Sequence, residues 1–271
     1  DLSFDAGDFL SPLLASIFST AIQSDGRILI GGRFTNVGGV TRNRVARLNT
    51  DGSVDASFNP DVSGTVTFIA IQSDGKILIG GYFTSVGGVT RNHIARLNAD
   101  GSIDASFNPN SSNYINTIAI QNDGKILIGG DFTSVDGVTR KRTARLNADG
   151  RVDIGFNPDV SRVVRSIAIQ SDGKVLIGGD FLSVGGITSN GIARLEGTSL
   201  AQVDISALDA VNGEGDSTAT DYTFTLSRSV NTVGVATIDY AVSGDANDPA
   251  NANDFGGSFP QGTVSFADDK S

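Results

Sequence analysis

The chain has 271 residues, among them 34 Gly, 6 Pro and neither Cys nor Met, and its formal net charge is −10. The lack of Cys excludes disulfide bonds and thiolate metal sites, and the sequence contains no apolar run of the roughly 18 residues that a membrane-spanning helix needs. Residues 1–195 carry equal numbers of basic and acidic residues, so the excess negative charge falls on residues 196–271. This division predicts a domain boundary near Glu196 and argues against nucleic acid as a partner.

A block of 49 residues recurs four times and dominates the first part of the chain. Its copies are anchored at Gln23, Gln72, Gln121 and Gln170, and a typical copy reads IAIQSDGKILIGGYF, then VGGVTRN, then ARLNADGSIDASFNP. Repeats of this length form stacked or radial arrays, in which no single unit can bury its own apolar face. We therefore expect function to reside on an assembled surface.

Each copy begins with a predicted β-hairpin. In the second copy, two apolar runs, Val66–Gln72 and Lys76–Gly81, flank Ser73-Asp74-Gly75. Asp-Gly between two such runs is typical of a tight hairpin turn, because Gly accepts a positive φ. Both runs are apolar at successive positions, which predicts strands that are covered on both faces.

Two further strands are predicted after the Gly80-Gly81 pair and its loop. They are His93–Asn98 and a short fourth strand, Ser102–Phe107, with a second Asp-Gly turn at Asp100-Gly101 between them. Four strands in about 50 residues with paired glycines after the second strand favour a propeller blade. A β-solenoid is the alternative, although its rungs are usually shorter and have fewer tight hairpins.

The two ends of the array predict a closed ring. The opening residues Asp1–Phe4 match the fourth-strand residues Asp55–Phe58, whereas the last copy ends after Ile192–Leu195 without such a strand. We expect the opening strand to pair beside Ile192–Leu195, which would remove the exposed sheet edges.

These repeats, with their IAIQxDGKILIGGxF and ARLNxDGSxDxSFNP motifs, resemble the delta-60 repeat family, also called the DUF5122 β-propeller repeat. The resemblance covers residues 1–195. It implies a propeller within a large secreted or cell-surface bacterial protein, and it implies no enzymatic activity.

The acidic C-terminal part has strands predicted at Tyr222–Leu226, Val235–Val242 and Thr263–Phe266. Together with its GEG, SGD and NDF motifs, this part resembles the Calx-beta domain, a calcium-binding β-sandwich. The resemblance implies oxygen ligands for calcium at Glu214, Asp245 and Asp254. Ca²⁺ takes 6–8 oxygens, which these three side chains do not supply alone. The sandwich would lack its final strands, and we expect either further chain or a second chain to complete it.

Three other motifs in the repeats receive structural interpretations. The NxDGxxD turn at residues 98–104 superficially resembles a calcium loop, but Arg96 occupies the preceding ligand position, which favours an Asx-type turn with a local Arg–Asp pair. His93 is the single histidine, which excludes a histidine-based triad or zinc site. For the arginines of the VTR loops we expect a solvated or structural role; they are Arg42, Arg91 and Arg140.

One position varies inside this nearly invariant frame. The residues that follow each Gly-Gly pair are Arg33, Tyr82, Asp131 and Asp180. Around a propeller axis they would be equivalent, and they are either variable rim residues or a ligand-binding set. The carboxylates of Asp131 and Asp180 lie on consecutive repeats, which leaves a glycosidase-type pair as a hypothesis.

The sequence therefore predicts an all-β protein with a four-bladed β-propeller at residues 1–196 and a partial Calx-beta-like β-sandwich at residues 197–271. The function that we expect is that of a non-enzymatic extracellular structural or adhesive protein, such as a cell-surface or filament component, with calcium as the candidate cofactor. Its expected partners are further copies, other surface proteins or glycans, with no nucleic acid and no membrane span. The alternative is a carbohydrate-binding or hydrolytic propeller that uses the rim at Asp131 and Asp180.

Overall fold

The structure is a computed structural model that describes residues 15–197 and, beyond them, the strands at residues 202–207, 224–229, 236–241 and 261–266. The chain separates into two compact units, Asp1–Thr198 and Ser199–Ser271. Every element in the described residues is a β-strand. None of these residues belongs to a helix of the length and apolarity required to cross a bilayer.

In the first unit each repeat forms five strands. Repeat 1 comprises β1 (Ser16–Ile22), β2 (Ile28–Arg33), β3 (Asn36–Val37), β4 (Val40–Thr41) and β5 (Val45–Leu48). Repeat 2 comprises β6 (Val66–Ile71), β7 (Ile77–Gly81), β8 (Ser85–Val86), β9 (Val89–Thr90) and β10 (Ile94–Leu97). Repeat 3 comprises β11 (Ile115–Ile120), β12 (Ile126–Gly130), β13 (Ser134–Val135), β14 (Val138–Thr139) and β15 (Thr143–Leu146). Repeat 4 comprises β16 (Val164–Ile169), β17 (Val175–Gly179), β18 (Ser183–Val184), β19 (Ile187–Thr188) and β20 (Ile192–Leu195).

The first, second and last strands of each repeat form an antiparallel three-stranded sheet with the second strand in the middle. In repeat 2, Ile69 pairs with Ile79, and Ile79 pairs with Ala95 on its other side. The turn between β6 and β7 has Gly75 at φ 82°, and the Asp74 carboxylate accepts a hydrogen bond from the Lys76 backbone N–H. The hairpin predicted from Asp-Gly is confirmed.

The VGGV segment, which we treated as a loop, is itself a small hairpin. β8 pairs with β9 in repeat 2, and the connecting Gly87 and Gly88 both have positive φ, 54° and 76°. Two successive positive φ values are what a two-residue primed turn requires. A bridge between Val62 and Val86 fastens this hairpin to the chain that enters the repeat.

The predicted fourth strand joins the sheet at one residue pair only. In repeat 2 this is the bridge between Leu97 and Ile103. Immediately afterwards the Asp104 carboxylate accepts hydrogen bonds from the backbone N–H and the hydroxyl of Ser106, at 3.0 and 2.6 Å. Such local side-chain to backbone bonds compete with a sheet ladder, so the fourth element is shorter than Ser102–Phe107.

Consecutive sheets pack face to face, and the hydrophobic core lies between them. Ile69 and Ile71 belong to the cluster that repeat 2 shares with repeat 1, whereas Phe68 and Ala70 belong to the cluster shared with repeat 3. A third cluster joins repeats 3 and 4. The strands of the inner repeats are therefore covered on both faces, as the unbroken apolar runs predicted.

The same set of polar contacts connects each sheet to the next at all three junctions between consecutive repeats. Arg96 Nε lies 2.8 Å from Asp104 Oδ2, and the guanidinium stacks 4.4 Å from the centre of the Phe107 ring. Its Nη1 then donates to the carbonyl of Ala148 in repeat 3, at 2.6 Å. The same contacts are made by Arg47 with Asp55, Phe58 and Ala99, and by Arg145 with Asp153, Phe156 and Gly197.

The predicted closure of the ring involves residues 1–5, which lie outside the described residues, and it stays a prediction.

In the second unit, β21 (Gln202–Ala207) pairs antiparallel with β22 (Phe224–Ser229). β23 (Ala236–Ala241) pairs antiparallel with β24 (Gln261–Phe266). The resemblance of this unit to a Calx-beta sandwich also stays a prediction.

Candidate ligand-binding surface

The residues after the Gly-Gly pairs lie at one end of their sheets, where the second strand finishes beside the start of the first. The backbone N–H groups of Tyr82 and Asp131 donate to the carbonyls of Thr65 and Tyr114, at 2.8 and 2.9 Å. Asp180 makes the equivalent bond in repeat 4. We call this end of the four sheets the Gly-Gly rim; it carries Arg33, Tyr82, Asp131 and Asp180.

A β-bulge adds a second variable position at this rim. In every repeat the pairing register shifts by one residue near the start of the first strand. Bulges re-aim the extra side chain and are frequent next to functional sites. The four bulged residues are Phe18, Thr67, Asn116 and Arg165.

Two of the bulged side chains connect neighbouring repeats. The Thr67 hydroxyl donates to the carbonyl of Ile115 at 2.7 Å, and the Asn116 amide donates to the carbonyl of Val164 at 3.2 Å. These side chains therefore hold the rim together as well as lining it.

The most distinctive feature of the rim is a cluster of aromatic rings. Tyr82 and Tyr114 lie with their ring centres 4.3 Å apart and tilted by 52°, and His93 meets Tyr114 edge-on at 5.1 Å. The Tyr82 hydroxyl donates to the side-chain oxygen of Asn116 at 3.4 Å. Tyr82 is 43% exposed and Tyr114 is 39% exposed, so part of each ring faces solvent. The contact with His93 holds the Tyr114 ring, and the hydrogen bond to Asn116 holds the Tyr82 hydroxyl.

His93 contributes an uncharged imidazole to this cluster. It occupies a left-handed backbone position with φ 67°, which Arg44 and Arg142 share in repeats 1 and 3. Burial lowers the pKa of His93 from its usual value, so at neutral pH the ring is neutral. The prediction that His93 belongs to no catalytic triad or zinc site is untested. The His93 ring does pack against the Tyr114 ring.

The two rim carboxylates are each paired with an arginine. Arg142 Nη1 lies 2.8 Å from Asp131 Oδ1, and Arg165 makes a bidentate contact with Asp180, with Nε 2.9 Å from Oδ1 and Nη2 2.5 Å from Oδ2. The hydrogen bonds from Arg165 lower the pKa of Asp180. The same contact raises the pKa of Arg165, through the hydrogen bond to Asp180 and the negative charge of its carboxylate. A glycosidase needs one carboxyl group with a raised pKa to act as the acid, and Asp180 has the opposite environment.

A family model described as "Domain of unknown function (DUF5122) beta-propeller" matches residues 23–58, 72–107, 121–156 and 170–197. The chain belongs to this family. The DUF5122 matches contain Tyr82, Asp131 and Asp180, whereas the segments between them contain Tyr114, Asn116 and Arg165. Half of the rim thus comes from the stretches that link one DUF5122 match to the next.

Solved structures similar to this DUF5122 chain are propellers of distant sequence. A virginiamycin B lyase from Staphylococcus aureus is 18% identical, with 69% of this chain and 58% of that chain covered and a TM-score of 0.43. The WD40 propeller of Doa1 is 12% identical, with 66% and 50% covered and a TM-score of 0.45. The extracellular domain of a protein described as a hybrid two-component system from B. thetaiotaomicron is 15% identical, with 92% and 33% covered and a TM-score of 0.43. The chain spans less than two thirds of these proteins, and a search of curated protein sequences finds no match.

The other motifs of the DUF5122 repeats have structural roles. In the NxDG turn, Asp100 accepts hydrogen bonds from the backbone and hydroxyl of Ser102, and Asp104 pairs with Arg96, as the interpretation of this turn predicted. The VTR arginine Arg42 is buried, and its Nη2 donates to the carbonyls of Asp55 and Ala56. Among the described side chains, no group of three or more His, Asp or Glu is placed to hold a metal.

The predicted calcium ligands Glu214, Asp245 and Asp254 lie outside the described residues, and calcium binding stays a prediction. The four residues that the sequence offered as a ligand-binding set all follow a Gly-Gly pair at this rim, and their role in binding stays a prediction; they are Arg33, Tyr82, Asp131 and Asp180. The sequence analysis did not single out Tyr114, Asn116 and Arg165, whose positions hold a different residue type in every repeat.

Proposed function

We propose that this DUF5122 chain is a non-enzymatic binding protein and that the Gly-Gly rim is its binding surface. The aromatic cluster of Tyr82, Tyr114 and His93 carries this proposal. Exposed Tyr rings offer large rigid contact area together with a polar tip, and they are enriched among residues that dominate binding energies. They occur here where the repeats differ most from one another, and repeat proteins commonly diversify their binding face in this way.

An extracellular adhesive role is part of this proposal. It is supported by the resemblance of the repeats to those of bacterial surface proteins and by the acidic C-terminal unit, whose calcium dependence is likewise proposed. A propeller that displays a rim on a cell surface would act by contact with other molecules, without chemical conversion of them.

Carbohydrate is the second candidate ligand, and the geometry of the tyrosine pair favours it. The apolar C–H faces of a sugar ring can stack on Tyr82 and Tyr114, while the amide of Asn116 offers hydrogen-bonding groups beside them and the Arg165–Asp180 pair offers others on repeat 4 of the same rim. Ligand sites commonly combine aromatic walls with a few placed polar groups. Hydrolysis is not part of the proposal, because arginines neutralise both carboxylates.

A glycan array tests this candidate. We expect the wild-type chain to bind, and the Tyr82→Ala and Tyr114→Ala variants to lose about 2 kcal/mol each, roughly thirtyfold in Kd. Ile154→Ala, which removes a side chain that is 64% exposed, is the matched control and should bind as wild type. Binding that persists in both tyrosine variants would contradict a role for the rim. Binding of a protein partner that depends on the tyrosines, with no glycan bound, would retain the binding module and reject carbohydrate.

A further inference from the structure

Two tyrosine rings from consecutive repeats touch at the Gly-Gly rim. Tyr82 directly follows β7 of repeat 2, and Tyr114 directly precedes β11 of repeat 3. Their ring centres lie 4.3 Å apart with an angle of 52° between the ring planes. This separation is slightly shorter than the roughly 4.5–7 Å that is usual for aromatic pairs, so ring carbons of the two residues are in contact.

Local contacts hold this tyrosine pair in place. The His93 ring meets Tyr114 edge-on at 5.1 Å, and the Tyr82 hydroxyl donates to the side-chain oxygen of Asn116 at 3.4 Å. The backbone is fixed as well, since the N–H of Tyr82 donates to the Thr65 carbonyl at 2.8 Å. The two rings are therefore held against each other although part of each faces solvent.

The composition of the chain directs oxidation toward its tyrosines. Cys and Met, whose sulfur atoms are the usual targets of protein oxidation, are absent from the 271 residues, and so is Trp. The chain has four Tyr, and two of them form the pair at the rim. A one-electron oxidant that reaches this rim therefore meets two adjacent phenols.

We propose that Tyr82 and Tyr114 are a site of oxidative cross-linking, at which the two side chains join as dityrosine within one chain. The co-reactant is hydrogen peroxide, which a peroxidase uses to form the one-electron oxidant. Proximity favours this product, because a ring that is already in contact need not arrive by diffusion. The inference rests on the geometry of the pair and does not depend on what the rim binds.

The reaction balances with hydrogen peroxide as the electron acceptor. Each tyrosine loses one electron to the oxidant, and its hydroxyl proton passes to solvent. The two tyrosyl radicals then join through a C–C bond between a Cε atom of each ring. Each of these carbons releases its hydrogen as a proton, and both hydroxyl groups form again. Two tyrosines and one hydrogen peroxide thus yield one dityrosine and two water molecules.

The new bond connects repeat 2 to repeat 3 covalently. It joins the end of β7 to the start of β11 and closes the loop of residues 82–114. Closing a loop restricts the unfolded chain, as a disulfide does. We therefore expect the cross-linked protein to melt at a higher temperature than the untreated protein.

Oxidation of the dilute full chain by a peroxidase and hydrogen peroxide tests the proposal. We expect dityrosine fluorescence to appear while the chain stays a monomer in denaturing gel electrophoresis. Digestion with trypsin should then release peptide 77–91 joined to peptide 97–125, lighter than their sum by two hydrogen atoms. Tyr82 and Tyr114 are the only tyrosines in these two peptides, so the joined product identifies the reacting residues.

Single substitutions and a matched control complete the test. Tyr82→Phe and Tyr114→Phe should each lose the joined peptides, and thermal unfolding before oxidation checks that each variant is folded. The control variant, with both Tyr222→Phe and Tyr240→Phe, removes the other two tyrosines and should form the joined peptides as wild type does.

Three results overturn the proposal. The first is dityrosine that forms as readily in Tyr82→Phe as in wild type. The second is cross-linking that occurs only between copies of the chain. The third is the absence of the joined peptides from wild type under conditions that couple free tyrosine in the same mixture.

Discussion

Arg96 and Asp104 form a buried ion pair, with 2.8 Å between Nε and Oδ2, and Asp104 also receives the Lys76 ammonium at 2.8 Å. Its second oxygen is taken by the backbone and hydroxyl of Ser106. The carboxylate thus ties three segments of one repeat together while Arg96 reaches the next repeat. Since these protein donors occupy both oxygens, the arrangement explains why the NxDG turn serves as a structural joint.

Replacing this carboxylate should destabilise the fold strongly. Asp104→Asn leaves the Arg96 charge buried without its partner, and removal of one member of a buried pair typically costs about 3–5 kcal/mol. The free energy of unfolding in urea measures the loss. Asp136→Asn, at an exposed carboxylate, should remain within about 0.5 kcal/mol of wild type. Equal effects of the two substitutions would contradict the importance of the pair.

The same carboxylates should make stability depend on acid pH. Burial alone would raise the pKa of Asp55, but the hydrogen bonds from Ser57 and the ion pair with Arg47 outweigh it and lower the pKa to about 2. The pKa of Asp104 is lowered as well, by Lys76, Ser106 and Arg96 against the effect of burial. In the unfolded chain both groups protonate near the ordinary value of 3.8.

A lowered pKa in the folded state stabilises the protein above the unfolded pKa, and this contribution is lost as the pH falls toward the folded pKa. We therefore expect the melting temperature to drop steeply between about pH 4 and pH 2. Asp55→Asn should already be less stable at pH 6 and should show a shallower drop. A variant curve parallel to that of wild type would exclude Asp55 as a source of the pH dependence.

The repeat frame could be predicted from the sequence because its signals are local. Asp74-Gly75 specifies a tight turn. Arg96, which stands just before the apparent calcium loop, indicates an ion pair with Asp104. The length of the fourth strand was harder to predict, because a residue such as Asp104 can either continue the sheet or bond to the nearby Ser106. In the structure its carboxylate bonds to Ser106 and pairs with the buried Arg96, and the strand is short.

The proposed binding surface could be predicted only in part, for a different reason. Tyr82 and Asp131 stood out because they follow an invariant Gly-Gly pair. Tyr114 and Asn116 lie 32 and 34 residues beyond Tyr82 in sequence, and their approach to it depends on how repeat 3 packs on repeat 2. The bulge that turns Asn116 toward Tyr82 has no marked sequence signal, since Thr, Asn, Arg and Phe all occupy that position.

Two equivalent glycines should respond differently to the same substitution. Gly80→Ala places a methyl group against Ile115, and such overpacking costs about 1–3 kcal/mol. In Gly178→Ala the added methyl group comes no nearer than 3.9 Å to any atom of the described residues, at an ordinary φ, so this variant should be neutral, or stabilised by up to about 1 kcal/mol through the unfolded state. Thermal unfolding of both variants gives the comparison. A Gly178→Ala loss as large as that of Gly80→Ala would show that the face at Gly178 is already covered in the free chain.

Burial on both faces of the second strand predicts a large cost for truncating its core residues. Ile79 is 0% exposed, so Ile79→Ala should lower the free energy of unfolding by about 2–5 kcal/mol. Ile187→Ala is the control, because Ile187 is 73% exposed. A loss below about 0.5 kcal/mol at Ile79 would be no larger than that of a surface substitution, and it would show that the strand is not covered as described.

Calcium binding should distinguish the C-terminal unit from the repeats. The turn carboxylates are engaged, since the hydroxyl and backbone N–H of Ser102 hold Asp100 and lower its pKa. We therefore expect calcium to bind at Glu214, Asp245 and Asp254, with a Kd of about 10⁻⁴–10⁻³ M as in other extracellular modules.

Calorimetric titration of the full chain with calcium measures this binding. Glu214→Gln should abolish the heat, because it removes one of three carboxylates from a cation that takes 6–8 oxygens. Asp100→Asn should leave the heat unchanged, because the Asp100 oxygens already serve the turn. The opposite result, with heat lost in Asp100→Asn and kept in Glu214→Gln, would place the ion at the repeats and show that their turns open to bind it.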